Sequence, residues 1–89
     1  MPTISMFYGI IVYMYCFDNK RHKQAHIHAT FAEFKVSVAI PSGDVLEGNF
    51  PAKKLKLLQA WIAIHEDELM ADWSLAIDGE KPYQIDPLR

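Results

Sequence analysis

The chain has 89 residues, 51% of them hydrophobic and 22% charged, with a formal net charge of -2 and one cysteine. That length fits one small domain, 1–89. The apolar and aromatic content excludes a disordered tail, the single cysteine excludes an internal disulfide framework, and the charge balance argues against a strongly basic nucleic-acid-binding domain.

Met1 to Phe17 carries no charge. It has neither the basic start nor the small-residue cleavage site of a signal peptide, and it is shorter than the about 20 apolar residues of a membrane helix. A soluble, cytoplasmic chain without a membrane span is the expectation. The segment is rich in strand formers and predicts strands at Thr3–Phe7 and Ile10–Phe17, hinged at Gly9. In the second strand Ile10, Val12, Met14 and Cys16 share one face, and Ile11, Tyr13, Tyr15 and Phe17 the other. Both faces are apolar, so a central strand is expected. Either a helix packs on the aromatic face, or Tyr13, Tyr15 and Phe17 form a partner interface, where Tyr is favoured. Cys16 reads as a small buried hydrophobe.

Asp18 to Ala25 is a polar, mostly basic loop. Two alternating strands follow. Ile27, Ala29 and Phe31 share a face opposite His26, His28 and Thr30. Phe34, Val36, Val38 and Ile40 share a face opposite Lys35, Ser37 and Ala39. Ala32-Glu33 is the tight connection of a hairpin, Pro41-Ser42-Gly43-Asp44 has turn chemistry, and Val45–Gly48 predicts a short strand.

Pro51 opens a helix, because proline is preferred at the first helical position. Leu55, Leu58, Ile62, His65 and Leu69 form its apolar stripe, broadened by Leu57, Trp61 and Ile64. The pattern runs on through Trp73 and Ile77 to Gly79, the expected terminator. One helix from Pro51 to Asp78 would be about 42 Å long, too long for so small a domain, so a break is expected near His65. Glu66, Asp67 and Glu68 then occupy the first turn of a second helix, where the dipole favours acids. Tyr83–Ile85 is expected to add a last short strand. The architecture predicted is α+β: an antiparallel β-meander sheet with two C-terminal helices packed on one face, in two layers.

Charge is unevenly placed. Met1–Lys56 holds seven Lys/Arg against four Asp/Glu, a net +3, while Leu57–Arg89 holds two against seven, a net -5. Lys20, Arg21 and Lys23 cluster in the loop, and Lys53, Lys54 and Lys56 cluster at the helix start. Lysines in a first helical turn oppose the dipole, and an anion bound there would offset that cost. A solvated surface is the plainer explanation.

His22, His26 and His28 fall within seven residues. On a strand, positions i and i+2 project side by side, so His26 and His28 can share one divalent metal such as zinc. With His65 at the same point, three nitrogens and an open position would make a catalytic metal site. Imidazole is also a general acid or base near neutral pH. Against this, the chain has no His-Glu-x-x-His motif, and His65 continues an apolar stripe where it can serve the core.

Several segments taken together carry a family likeness: Ile4–Phe7 with Gly9-Ile10-Ile11-Val12, Met14-Tyr15, His26-Ile27-His28, Val45-Leu46-Glu47-Gly48 with Pro51, Trp61 to Leu69 around His65-Glu66-Asp67-Glu68, Asp72-Trp73-Ser74-Leu75-Ala76, Gly79-Glu80 and Ile85-Asp86-Pro87-Leu88. The chain resembles the bacterial family called domain of unknown function 4160. In that family the His-x-His pair usually follows two prolines; here Gln24 and Ala25 precede His26. The resemblance implies a small prokaryotic domain without an established activity. It also implies a gene beside another small uncharacterised domain, in a toxin–antitoxin-like pair.

Three functions of different class remain open. One is a protein-interaction domain that forms a homo-oligomer or binds a co-encoded partner. Another is a metal-dependent hydrolase or ribonuclease using His26, His28 and His65. The third is an anion or RNA binder using the lysine clusters, which would require the two clusters to merge into one face.

Overall fold

Tyr8 and Gly9 both take left-handed backbone angles, with φ of 49° and 81°. Two such residues in succession make the tight turn whose twist suits an antiparallel hairpin. They join β1 (Thr3–Phe7) to β2 (Ile10–Tyr13), with Phe7 opposite Ile10. The computed structural model describes residues 2–17 and 24–89. His22 and the cluster of Lys20, Arg21 and Lys23 lie outside the described residues.

After β2 come β3 (His26–Phe31), β4 (Phe34–Ala39) and β5 (Val45–Gly48), in one antiparallel sheet of order β1-β2-β3-β4-β5. Ala32 supplies a left-handed residue (φ 52°) in the β3–β4 turn, which sets Phe31 opposite Phe34. The predicted meander is therefore the observed sheet.

The expected strand from Ile10 to Phe17 stops at Tyr13. The Met14 N–H still donates to the Pro2 carbonyl (3.1 Å), and beyond it the chain turns to the helical layer. The Phe17 N–H donates to the Ala76 carbonyl (2.9 Å), and Cys16 Sγ lies 3.7 Å from the Glu80 carbonyl. Cys16 is thus half-buried against the end of a helix, not in the core.

Helix α1 spans Ala52–Ile64, with Pro51 just outside it, and α2 spans Glu66–Ile77. The break falls at His65, as the length argument required, and the three acids Glu66, Asp67 and Glu68 occupy the first turn of α2. The far end of α2 closes on Gly79 (φ 81°). Its N–H donates to the Ala76 carbonyl (3.0 Å) and the Glu80 N–H to the Leu75 carbonyl (2.9 Å). These paired bonds are a Schellman termination, which needs the left-handed residue that glycine supplies.

Both helices bury apolar residues on the same sheet face, although Ile64 of the predicted stripe is 65% exposed. Leu58, Trp61 and Ile62 of α1 and Leu69, Trp73 and Ala76 of α2 pack with Ile4, Ile10, Val12, Met14, Ile27, Ala29, Val36 and Val38. Each large aliphatic side chain buried there contributes about 1.5–3 kcal/mol. A bulge between Thr3 and Ser5 shifts the β1–β2 register, so Ile4 and Ser5 are both buried.

The tail does not form the expected strand. It runs beside β1 with a single backbone bond to it, from the Ile85 N–H to the Ile4 carbonyl (2.8 Å). Side chains do the rest: the Trp61 indole Nε1 donates to the Asp86 carbonyl (2.8 Å), Asp72 Oδ1 accepts the Tyr83 N–H (2.9 Å), and Gln84 donates to the Thr3 carbonyl.

Candidate functional site

Helical cover on one face leaves most of the other face of the sheet open; only at its His26–Ala39 end is that face buried, where Trp73 of α2 reaches His26. Strand pairing decides what the open part carries. Tyr13 stands opposite Thr3 and His28, His28 opposite Ser37, and Ser37 opposite Glu47. Directly paired residues project to the same side. One rung, Thr3–Tyr13–His28–Ser37–Glu47, therefore crosses all five strands on the open face. Met6, Ile11, Thr30 and Lys35 form the neighbouring rung across β1 to β4.

His28 sits at the middle of the long rung. Its ring stacks on Tyr13, with centroids 5.4 Å apart and planes 13° from parallel, and Tyr15 meets it edge-on at 4.8 Å. Its Nδ1 is 3.2 Å from Ser37 Oγ. Burial pushes the Tyr13 hydroxyl above its ordinary pKa, and the charge of Tyr15 and a hydrogen bond with it act the same way. Tyr13 is therefore a neutral phenol at physiological pH. Tyr13, Tyr15, His28, Lys35, Ser37 and Glu47 line a shallow depression of about 240 Å³.

The aromatic face of the second strand is thus the reverse of a helix-covered one. Ile10, Val12 and Met14 take the helices, and Tyr13 and Tyr15 lie on the open side. Phe17 is not with them. It is beyond the strand, and its ring packs over Gly79, where a Cβ would come within 2.4 Å of the ring. Of the three residues, Tyr13 is buried by its neighbours, and Tyr15 and Phe17 are exposed at separate places.

His26 and His28 are neighbours, with centroids 5.2 Å apart. His26 is fully buried, packs 5.0 Å from Trp73 and donates from Nδ1 to the Gln24 carbonyl (2.9 Å). His65 is elsewhere. It sits at the junction of the helices, 5.6 Å from Trp61, with its Nδ1 2.6 Å from Glu68 Oε1. Among the described residues no three His, Cys, Asp or Glu side chains are grouped to hold a metal, so the three-histidine zinc site is not assembled. The glutamate acting on His65 and the buried surround of His26 give each imidazole a structural partner instead.

The lysines at the start of α1 also part company. Lys54 donates to the Tyr8 carbonyl (2.7 Å) and covers the Phe31 ring at 4.7 Å, so it fastens the helix to the β1–β2 turn. Lys53 and Lys56 are exposed. No helix among the described residues is long and apolar enough to cross a membrane.

Sequence reasoning missed Lys35, Ser37 and Glu47 as companions of His28. The signal for Ser37 was present: a two-residue turn at Ala32-Glu33 puts it opposite His28. Glu47 gave none, because a register shift between Ser37 and Val38 sets its partner. Among known proteins, the family model described as a domain of unknown function, DUF4160, matches residues 9–74. No curated protein and no solved structure matches.

Proposed function

Because the chain belongs to the DUF4160 family, whose description assigns no activity, we propose its function from the open sheet face: it is a protein-interaction domain that binds a second small chain there. One observation carries this reading. Met6 and Ile11 are directly opposed on β1 and β2, on the face without helices, and remain 61% and 36% exposed. Tyr15 adds an exposed aromatic on the same side. Apolar pairs of this kind, rimmed by polar groups such as Thr30 and Lys35, suit a partner surface. Tyr13 supports Tyr15 from below, and Phe17 lies apart from the strip.

The family resemblance supplies the partner: the product of the adjacent small gene, in an arrangement of toxin–antitoxin type. Co-expression of both chains, followed by size-exclusion chromatography with light scattering, tests this. A stable complex is expected, lost in Ile11→Glu while the melting temperature of the lone chain is unchanged. A self-associating chain whose dimer is lost in the same variant would transfer the strip to a homo-oligomer. Separate elution of two monomers overturns the proposal.

A further inference from the structure

The depression around His28 has a chemistry that a partner surface does not require. Its wall is Tyr15, an exposed ring held edge-on to His28 and 5.4 Å from Tyr13. Its floor is the imidazole of His28 with the hydroxyl of Ser37 against it. Lys35, two residues before Ser37 on β4, brings an exposed ammonium group to the same face. Glu47, opposite Ser37, brings a carboxylate from β5. Lys35 and Glu47 are diagonal neighbours, roughly 7–8 Å apart at the backbone. A cation and an anion acceptor therefore flank one hydroxyl–imidazole pair.

A ligand matching all of these groups needs a planar ring to lie on Tyr15, an anion for Lys35, and hydroxyl donors for Glu47. A sugar phosphate lacks the ring, and an aromatic acid lacks the hydroxyls. We propose that this depression is a nucleotide site: the base stacks on Tyr15, the phosphate meets Lys35 with Ser37 and His28, and the ribose hydroxyls donate to Glu47. Base stacking on an exposed aromatic of an open antiparallel sheet is a general mode of single-strand recognition. A phosphate on a lysine adds a salt-sensitive contact. The ligand is either a free nucleotide or the end of a single RNA strand, which present the same three groups. The site shares Tyr15 and the rim residue Lys35 with the partner surface, whereas His28, Ser37 and Glu47 lie on the other rung; nucleotide binding by the lone chain and complex formation are read in separate experiments, so either can fail without the other.

The lone full chain, labelled with nitrogen-15, is titrated with uridine and adenosine 5′-monophosphates, ribose 5-phosphate, inorganic phosphate and a 5′-phosphorylated tetraribonucleotide. Saturable amide shifts confined to the Tyr15, His28, Ser37 and Glu47 region are expected with both mononucleotides. Equal affinity for the tetranucleotide identifies a free nucleotide, and tighter binding identifies an RNA end. Lys35→Ala and Tyr15→Ala should each weaken binding about tenfold, the equivalent of 1.4 kcal/mol. Tyr15→Phe should bind like the parent, and Glu47→Gln should lose the preference for adenosine 5′-monophosphate over 2′-deoxyadenosine 5′-monophosphate, titrated alongside. Thermal melts of the same variants establish that they are folded. Absence of saturation, or mononucleotide binding no tighter than inorganic phosphate and unaffected by Tyr15→Ala, overturns the proposal.

Discussion

His28 Nδ1 and Ser37 Oγ lie 3.2 Å apart because β3 and β4 pair these two residues directly on the face that the helices leave open. Ser37 is largely buried there, so its hydroxyl exchanges little with water. Replacing it by alanine removes one hydrogen bond, worth about 1 kcal/mol. In a domain of this size that lowers the melting temperature by about 4–8 °C. Ser37→Thr keeps the hydroxyl and should recover most of the loss. A Ser37→Ala chain melting with the parent would show that the contact adds nothing to stability.

Gly48, the last residue of β5, is the most constrained glycine of the sheet edge. Its φ is 86°, and a Cβ there would lie 2.3 Å from the Lys35 carbonyl oxygen. Backbone cannot step aside as a flexible side chain can. Gly48→Ala therefore combines a left-handed strain of roughly 1–2 kcal/mol with a backbone clash, about 3 kcal/mol or more in all. Gly43 is the comparison: its φ is 82°, but a Cβ there meets only the Gln59 side chain at 3.4 Å. Gly43→Ala should cost only the strain. Chemical denaturation of both variants measures the difference, and equal losses would refute the clash.

The elements that local chemistry dictates were legible in the sequence. The Gly9 and Ala32-Glu33 turns, the alternation in β3 and β4, the break at His65 and the stop at Gly79 each follow from a few adjacent residues. The errors share one cause, which is contact across long sequence separation. Phe17 leaves the sheet because of Ala76 and Gly79, and the tail is held by Trp61 and Asp72 more than by β1. Alternation grouped His26 with His28 and separated the two faces of β2. It could not say which face the helices would cover. His65 joined the histidine cluster by residue type alone, and its place at the helix junction removes it.

Asp72 carries a pH dependence. It is buried on α2; its Oδ1 accepts the Tyr83 N–H and its Oδ2 has no hydrogen-bond partner. Burial raises its pKa from 3.8, the Tyr83 bond opposes that, and Glu68 one turn earlier adds repulsion. An acid with a raised folded-state pKa favours the fold when protonated. That contribution is complete below 3.8 and is lost as pH rises through the higher folded value. Asp72→Asn keeps an acceptor for Tyr83 and abolishes the buried charge. Denaturation midpoints should show the variant more stable than the parent at pH 7, with the gap closing toward pH 4. A gap that is constant with pH would contradict the account.

Trp61 joins three parts of the molecule. Its ring lies 5.2 Å from Phe7 of β1, its backbone belongs to α1, and its indole N–H holds the Asp86 carbonyl of the tail. Trp61→Phe keeps an aromatic body in the core and deletes the donor. The lost hydrogen bond costs about 1 kcal/mol, and the smaller ring adds a cavity cost on the order of 1 kcal/mol. The two losses have different addresses. The cavity weakens the whole core, whereas the missing donor frees the tail alone. Amide exchange should therefore accelerate more at Ile85, whose N–H is bonded to Ile4, than in β3. Equal acceleration at both would mean that Trp61 supports only the core and that the tail is held by Asp72 and Gln84.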